Sequence, residues 1–396
     1  MVAQARVIWD PGFTAYNFGP GHPMGPLRLD LTARLCEALG VFDAVEVISP
    51  PVASDEMLQT VHDPDYIAKV KEASDDPSSA EPAYGLGTED DPAFTGMHEA
   101  SARIVAGTVA MCEQVQAGEI AHGVNFCGGL HHAMRGNASG FCIYNDIAAG
   151  IQALLDDGVE RVAYVDVDVH HGDGVEAIFA DDPRVLTASI HESGRTLFPG
   201  TGWARDVGTG AGEGYAVNVA LPPGTTDSAW LRAIRASIVP ILRAFRPQFL
   251  ISQHGCDTHA DDPLANLVMT VDAQRQAMLD IHDLAHNLCD GKWVALGGGG
   301  YELVDVVPRS WTHMTAIAAH RPIPVDTPVP EEWQEYVERT IGRRGPNRMG
   351  DLPVGEPAIW VQPWEMGYNP HSPVDRAIMA TREATFSHHG LDIWYD

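Results

Sequence analysis

The stretch RVAYVDVDVHHGDG, residues 161–174, decides the fold. Its first half is a continuous run of apolar and β-branched residues, which predicts a strand buried on both faces. Its second half turns abruptly polar. The spacing of two in Asp166-Val-Asp168-Val-His170 predicts three polar side chains on one face for as long as the chain stays extended. Working outward, similar runs recur as GVNFCGG (123–129), RVLTASIHESG (184–194), PQFLISQHGCD (247–257) and KWVALGGGGY (292–301), with helix-compatible stretches at 145–157, 228–245 and 272–290. Apolar strands separated by helices predict an α/β chain built on a parallel sheet. Ligands of such sheets bind beyond the carboxyl ends of the strands. There this sequence places Gly128 to His132, Asp166 to Asp173, His254 and Asp257, and four glycines followed by Tyr301.

Buried carboxylates without partners cost several kcal/mol each, so Asp166 and Asp168 call for a cation or for hydrogen-bond donors. A divalent metal meets that need. Asp168, His170 and Asp257 could supply three ligands and leave a position open, which is catalytic rather than structural coordination. Alone, the DxDxH run also reads as a polar strand end capping a helix, and His131–His132 as one ligand or one core histidine. Taken together with Asp166 and Asp173, the pair reads as two imidazoles each oriented by an acid. The run from Gly297 to Gly300 lacks the GxGxxG pattern of a nucleotide fold, and Tyr301 at its end could donate to a developing oxyanion.

Composition narrows the function class. The 396 residues carry 54 acidic and 25 basic side chains, a formal charge of -29, which repels phosphate backbones and argues against nucleic acid as a ligand. No apolar run is long enough to span a bilayer, and MVAQARVIWDPG does not read as a secretory signal, so a cytoplasmic location is expected and a membrane partner is not. The six cysteines are scattered without a CxxC pair, which predicts buried free thiols rather than disulfides or a thiolate zinc site. Residues 74–95 predict a long loop. Residues 321–396 read as an extension, with one helical patch near Glu331–Thr340, packed on a domain of residues 1–320; Trp360, Trp364 and Trp394 suggest burial there.

The motifs GGLHHA (128–133), ASGFC (138–142), YVDVDVHHGDGVE (164–176), FPGTG (198–202) and LGGGGY (296–301) resemble the histone deacetylase superfamily, in its class I-like branch. GHPMGPLRLDLT (21–32) and VVPRSWT (306–312) are similar to its bacterial acetoin-utilisation type. The resemblance implies the arginase–deacetylase fold, with a central eight-stranded parallel sheet flanked by helices and the site at the carboxyl ends of its strands. It implies one zinc or ferrous ion on Asp168, His170 and Asp257. His132 with Asp173 would be the general base, His131 with Asp166 its electrostatic neighbour, and Tyr301 the group that polarises the acetyl carbonyl. Phe141, Phe198, Leu264, Gly140 and Gly299 would bind substrate and Asp90 its backbone. Arg28 would line an internal channel, and Asp166, Asp168, His170, Ser189 and Ile190 would hold a structural potassium ion.

Tyr301 stands where some eukaryotic classes carry histidine, and HHGDG stands where class II and polyamine-directed relatives carry HHGNG. Arginases need a denser carboxylate set, and no DxHxD follows the second run. The expected reaction is therefore hydrolysis of N-acetyl-lysine in a protein, such as a metabolic enzyme, to lysine and acetate. A small-molecule amidohydrolase acting on acetylpolyamines, an enzyme removing longer acyl groups, and a non-catalytic acyl-lysine scaffold are the rivals. Oligomeric state does not follow from the sequence.

Overall fold

A computed structural model describes residues 3–355 and 358–396. Eight strands form a single, wholly parallel sheet: β1 (Ala3–Ile8), β2 (Glu46–Ile48), β3 (Ile120–Asn125), β4 (Val162–Asp166), β5 (Val185–Glu192), β6 (Ala216–Leu221), β7 (Phe249–Gln253) and β8 (Trp293–Leu296). Their order is β2-β1-β3-β8-β7-β4-β5-β6. The five apolar runs read from sequence became β3, β4, β5, β7 and β8. β1, β2 and β6 escaped that reading. β2 is only three residues long at one edge, and β6 at the other edge is interrupted by Asn218, whose amide donates to Glu176 and to the Asp206 carbonyl. Short edge strands carry weak periodicity signals.

The central strands are buried along their whole length, as parallel strands covered on both faces must be. The helices expected at 145–157, 228–245 and 272–290 run over Asp146–Asp156, Asp227–Phe245 and Val271–Leu288, the second of them with a widened turn at Ile234–Ile238 just before Pro240. Residues 74–95 join the helices Pro64–Asp75 and Met97–Gln116 through two short helical turns. This connection docks on the main body where the Ala138 amide donates to the Tyr84 carbonyl at 2.9 Å. All six cysteines are free and buried. No helix among the described residues is long and apolar enough to cross a membrane.

The extension packs on the same body. Helix Glu331–Ile341 sets Trp333 and Val337 against Leu31 and Leu35, and the Trp333 indole donates to the Leu31 carbonyl at 2.9 Å. Helix Pro373–Thr385 covers β6, and its Arg382 is fully buried, donating to the carbonyls of Ala236 and Ile393. The tryptophan expectation holds for one residue of three. Trp364 is buried beneath the guanidinium groups of Arg232 and Arg382, but Trp360 is 65% exposed and Trp394 49% exposed. Trp364 has two stacked cations to cover its ring. Trp360 lies in irregular chain anchored through its backbone carbonyl to Ser228, so its side chain gains no such cover.

Candidate active site

The four central strands, β3, β8, β7 and β4, are neighbours, so the segments leaving their carboxyl ends meet. β4 ends at Asp166, and the polar run beyond it coils instead of staying extended as the spacing of two had suggested. Asp166 Oδ1 accepts from the Asp168 amide at 3.1 Å, and Asp168 Oδ1 from the His170 amide at 3.0 Å. Each carboxylate thus caps the amide two residues on, as Asp side chains do in turns. The coil aims Asp166 at the tandem histidines and Asp168 with His170 at Asp257.

Asp168, His170 and Asp257 form one cluster. His170 Nδ1 lies 3.1 Å from both Asp168 Oδ1 and Asp257 Oδ2, and the two carboxylates are fully buried. Asp168 Oδ2 accepts from Gln253 Nε2 at 2.7 Å and from the Gly299 amide at 2.9 Å, and Asp257 Oδ1 accepts from the Val169 amide at 2.9 Å. One oxygen of each acid is therefore fixed by donors while the other turns toward His170. Burial opposes charge on His170, yet hydrogen bonds that its ring donates to the two carboxylates hold its pKa up at about 10. Burial and the charge of Asp168 push Asp257 up to about 7. The cluster draws positive charge to its centre, and two carboxylate oxygens with one imidazole nitrogen suit zinc or ferrous iron. The donor set fits the expected metal.

Beside the cluster stands the histidine pair. His131 Nδ1 lies 2.8 Å from Asp166 Oδ2, His132 Nδ1 lies 2.6 Å from Asp173 Oδ1, and the two Nε2 atoms are 3.0 Å apart. Each acid fixes its imidazole with the proton on Nδ1 and Nε2 pointing inward. Burial opposes charge on both rings. At His131 it is outweighed by Asp166 and Asp168, which hold the pKa up at about 9. At His132 burial and repulsion from His131 prevail and lower it to about 4. Two titrating groups driven apart in this way are equipped for different tasks, one carrying charge and the other a free base.

Above these groups opens a cavity of about 190 Å³ lined by Asp90, His132, Gly140, Phe141, His170, Leu197, Phe198, Leu264 and Tyr301. The structure brings Phe141, Phe198, Leu264 and Gly140 to its wall and Asp90 to its mouth. Asp90 is exposed, with its carbonyl accepting from His22 Nε2 at 3.1 Å, whereas the adjacent Asp91 turns inward and is pushed up to about 8 by burial and then by Asp90. Gly299 does not line the cavity; it walls the metal cluster, where a Cβ would lie 2.0 Å from Asp257 Oδ2. Burial, with Asp257 and Asp168 nearby, holds the Tyr301 phenol well above its ordinary pKa, so it remains a donor. Arg28 lies behind the glycine run rather than in the cavity wall. Its guanidinium donates to the carbonyls of Gly298 at 2.8 Å and Gly300 at 3.2 Å and stacks over Trp311. Of the five residues expected around potassium, Ser189 pairs with Asp166 in the β4–β5 ladder, and the Ser189 hydroxyl bonds His191 Nδ1. His254, although it follows β7, turns to Ser252 and away from the cluster.

Several supporting residues escaped the sequence reading. Leu197 completes the wall beside Phe198, Gln253 and Tyr164 hold Asp168 and Asp166, and Asp262 accepts from the Tyr301 amide at 2.8 Å. Gln253 and Leu197 sit next to motifs already singled out, which was a usable signal; Asp262 had none.

Gly140 has φ +54, and a Cβ there would lie 2.4 Å from His132 Cδ2 and 2.9 Å from the Phe198 ring. Gly140→Ala is expected to displace the base while leaving the metal cluster untouched. The expected result is a fall in turnover of roughly 10- to 100-fold, since displacement by about 1 Å can cost that much. Unchanged bound metal, measured by mass spectrometry, would separate this from collapse of the site.

The Histone deacetylase domain model matches residues 22–318. The chain is 41% identical to the acetoin utilization protein AcuC of Bacillus subtilis over 365 residues, covering 91% of this chain and 90% of that one. It is 39% identical to AcuC of Staphylococcus xylosus, covering 82% and 86%. Among solved structures, the HDAC homologue from Aquifex aeolicus superposes with a TM-score of 0.81 at 27% identity, covering 96% of this chain and all of that one. An HDAC homologue complexed with SAHA gives 0.80 at the same identity and coverage. With this sheet order, this site geometry and these matches, the chain belongs to the histone deacetylase family.

Proposed function

We propose that this protein is a metal-dependent deacetylase that hydrolyses N-acetyl-lysine in proteins to lysine and acetate. One observation carries the reading: His132 of the histidine–aspartate pairs and His170 of the Asp168–His170–Asp257 cluster line a single cavity together with Phe141, Phe198 and Tyr301. Phe141 and Phe198 would flank the four-carbon stem of lysine, and Asp90 at the mouth would accept from the substrate backbone. Asp168, His170 and Asp257 would hold a divalent ion, which would supply Lewis acidity for the acetyl carbonyl and make water more acidic. His132 takes the proton of the attacking water on Nε2, with Asp173 stabilising the imidazolium, and later returns it to the departing amine. The charge on His131 helps to hold the tetrahedral intermediate. Tyr301 donates to the acetyl oxygen as that oxygen turns negative. A potassium ion among Asp166, Asp168, His170, Ser189 and Ile190 would stiffen the coil that aims the ligands. SAHA, present in the complex of a solved relative, is expected to compete with substrate in this cavity.

The test compares metal-defined protein on an acetyl-lysine peptide and on N-acetylputrescine by acetate release. Peptide turnover that vanishes on chelation supports the reading, and a preference for acetylputrescine moves the substrate to polyamines. Tyr301→Phe removes only the donor hydroxyl, so kcat is expected to fall about 10²- to 10³-fold with KM little changed. A variant as fast as the parent would take Tyr301 out of the mechanism.

A further inference from the structure

Among the described residues, two groups of side chains are placed to hold a metal ion, and the second has no part in the site above. It lies near the amino-terminal ends of β3 and β8, at the opposite end of the sheet. His122 comes from β3, His282 and His286 from one face of helix Val271–Leu288, and His320 from the residues just after helix Val307–Ala318.

The four rings have the shape of a coordination sphere. His122 is 5.0 Å from His282, 5.1 Å from His286 and 4.6 Å from His320, centre to centre. His282 is 4.6 Å from His286 and 5.0 Å from His320, and His286 is 5.3 Å from His320. Four points with nearly equal separations in every pairing are the corners of a tetrahedron. Zinc–nitrogen bonds of about 2.0–2.1 Å put tetrahedral nitrogens about 3.3 Å apart and their ring centres about 5 Å apart. His282 Nε2 and His286 Nε2 are 3.2 Å apart, and one nitrogen from each of the four rings lies within 4.8 Å of the rest, a span that small ring rotations close.

His122 supplies an independent sign of a ligand. It is fully buried, and its Nδ1 lies 2.7 Å from the Ala318 carbonyl. A carbonyl only accepts, so Nδ1 carries the proton and Nε2 presents a bare lone pair, and that Nε2 has no hydrogen-bond partner. A backbone carbonyl orienting one imidazole nitrogen while the other keeps a bare lone pair is the usual outer-shell arrangement of a metal-ligating histidine. Burial also favours the neutral form of two of the rings, lowering His122 to about 3 and His282 to about 4.

We propose that His122, His282, His286 and His320 form a second metal site that binds a divalent transition ion of the zinc, nickel or cobalt class. Four protein nitrogens leave no open position, so the site is structural. Its ion ties helix Val271–Leu288 and the end of helix Val307–Ala318 to β3, from behind the strands that carry the catalytic loops. His286 and His320 are exposed, which gives the ion a path from solvent.

The experiment strips full-length protein with chelator and titrates it with Co²⁺, following d–d absorption and bound metal. Asp168→Asn silences the active-site cluster and His282→Gln with His286→Gln silences the second; neither readout depends on the deacetylase reading. Expected are one tightly bound ion in each of these proteins, two in the parent, and none when all three substitutions are combined. The ion kept by Asp168→Asn should raise its Tm, and that rise should vanish in the combined variant. In the Asp168→Asn protein, His320→Asn, an exposed change that spares folding, should weaken cobalt binding by more than the roughly 10- to 100-fold of an outer-shell loss. An Asp168→Asn protein that is folded by circular dichroism and binds no ion overturns the proposal. So does a His282→Gln/His286→Gln protein with the parent's stoichiometry.

Discussion

Asp168→Asn is expected to cut acetate release by about 10³-fold or more and to empty the active-site metal position, because Lewis-acid stabilisation is worth several kcal/mol. The substitution keeps the shape of the side chain and removes its charge. Asp168 is fully buried, with donors on both oxygens: Gln253 Nε2 and the Gly299 amide on Oδ2, and the His170 amide on Oδ1. An amide group must turn its NH₂ toward one of those donors, so a hydrogen bond is lost as well. Leaving buried donors unpaired costs about 1–3 kcal/mol, and a lower Tm should accompany the loss of activity. Acetate release and bound metal measured on the same samples decide the matter. Parent-like turnover with a full complement of active-site metal would dismiss Asp168 as a ligand.

His132→Ala should be nearly as damaging but for a different reason, falling about 10²- to 10⁴-fold in kcat while metal content and KM stay close to the parent's. His132 is the imidazole whose pKa is lowered, by burial and then by His131, to about 4, so its Nε2 is a free base across the neutral range. Asp173 at 2.6 Å keeps it oriented. The sign of the pH effect follows. Parent activity falls on the acid side as His132 takes up a proton, and this limb disappears from the small residual activity of the variant. An acid limb that persists unchanged in His132→Ala would assign the titration, and with it the base, to another group.

How much of this was legible beforehand varies by element. The five apolar runs were readable because strands buried on both faces stay apolar throughout, and four of them, β3, β4, β7 and β8, lead into the candidate site. β2 and β6 were not, being short or interrupted strands at the edges. The Asp168–His170–Asp257 cluster and the histidine–aspartate pairs followed from residue type and spacing, aided by the family motifs. Leu197, Gln253 and Asp262 did not, because their parts depend on which strand lies next to which. The expected burial of Trp360 and Trp394 failed since aromatic content alone does not say what will cover a ring.

The sequence by itself determined the fold class, the family and the chemical inventory of the active site: these are recorded in local periodicity and in contiguous motifs. Only the tertiary structure decided that the polar run after Asp166 coils instead of extending, and that Asp91 turns inward while Asp90 faces the cavity. It alone brought His122, His282, His286 and His320 to one point. Those outcomes rest on contacts between segments far apart in the chain, where burial and hydrogen-bond satisfaction choose among placements that a linear pattern leaves equally open.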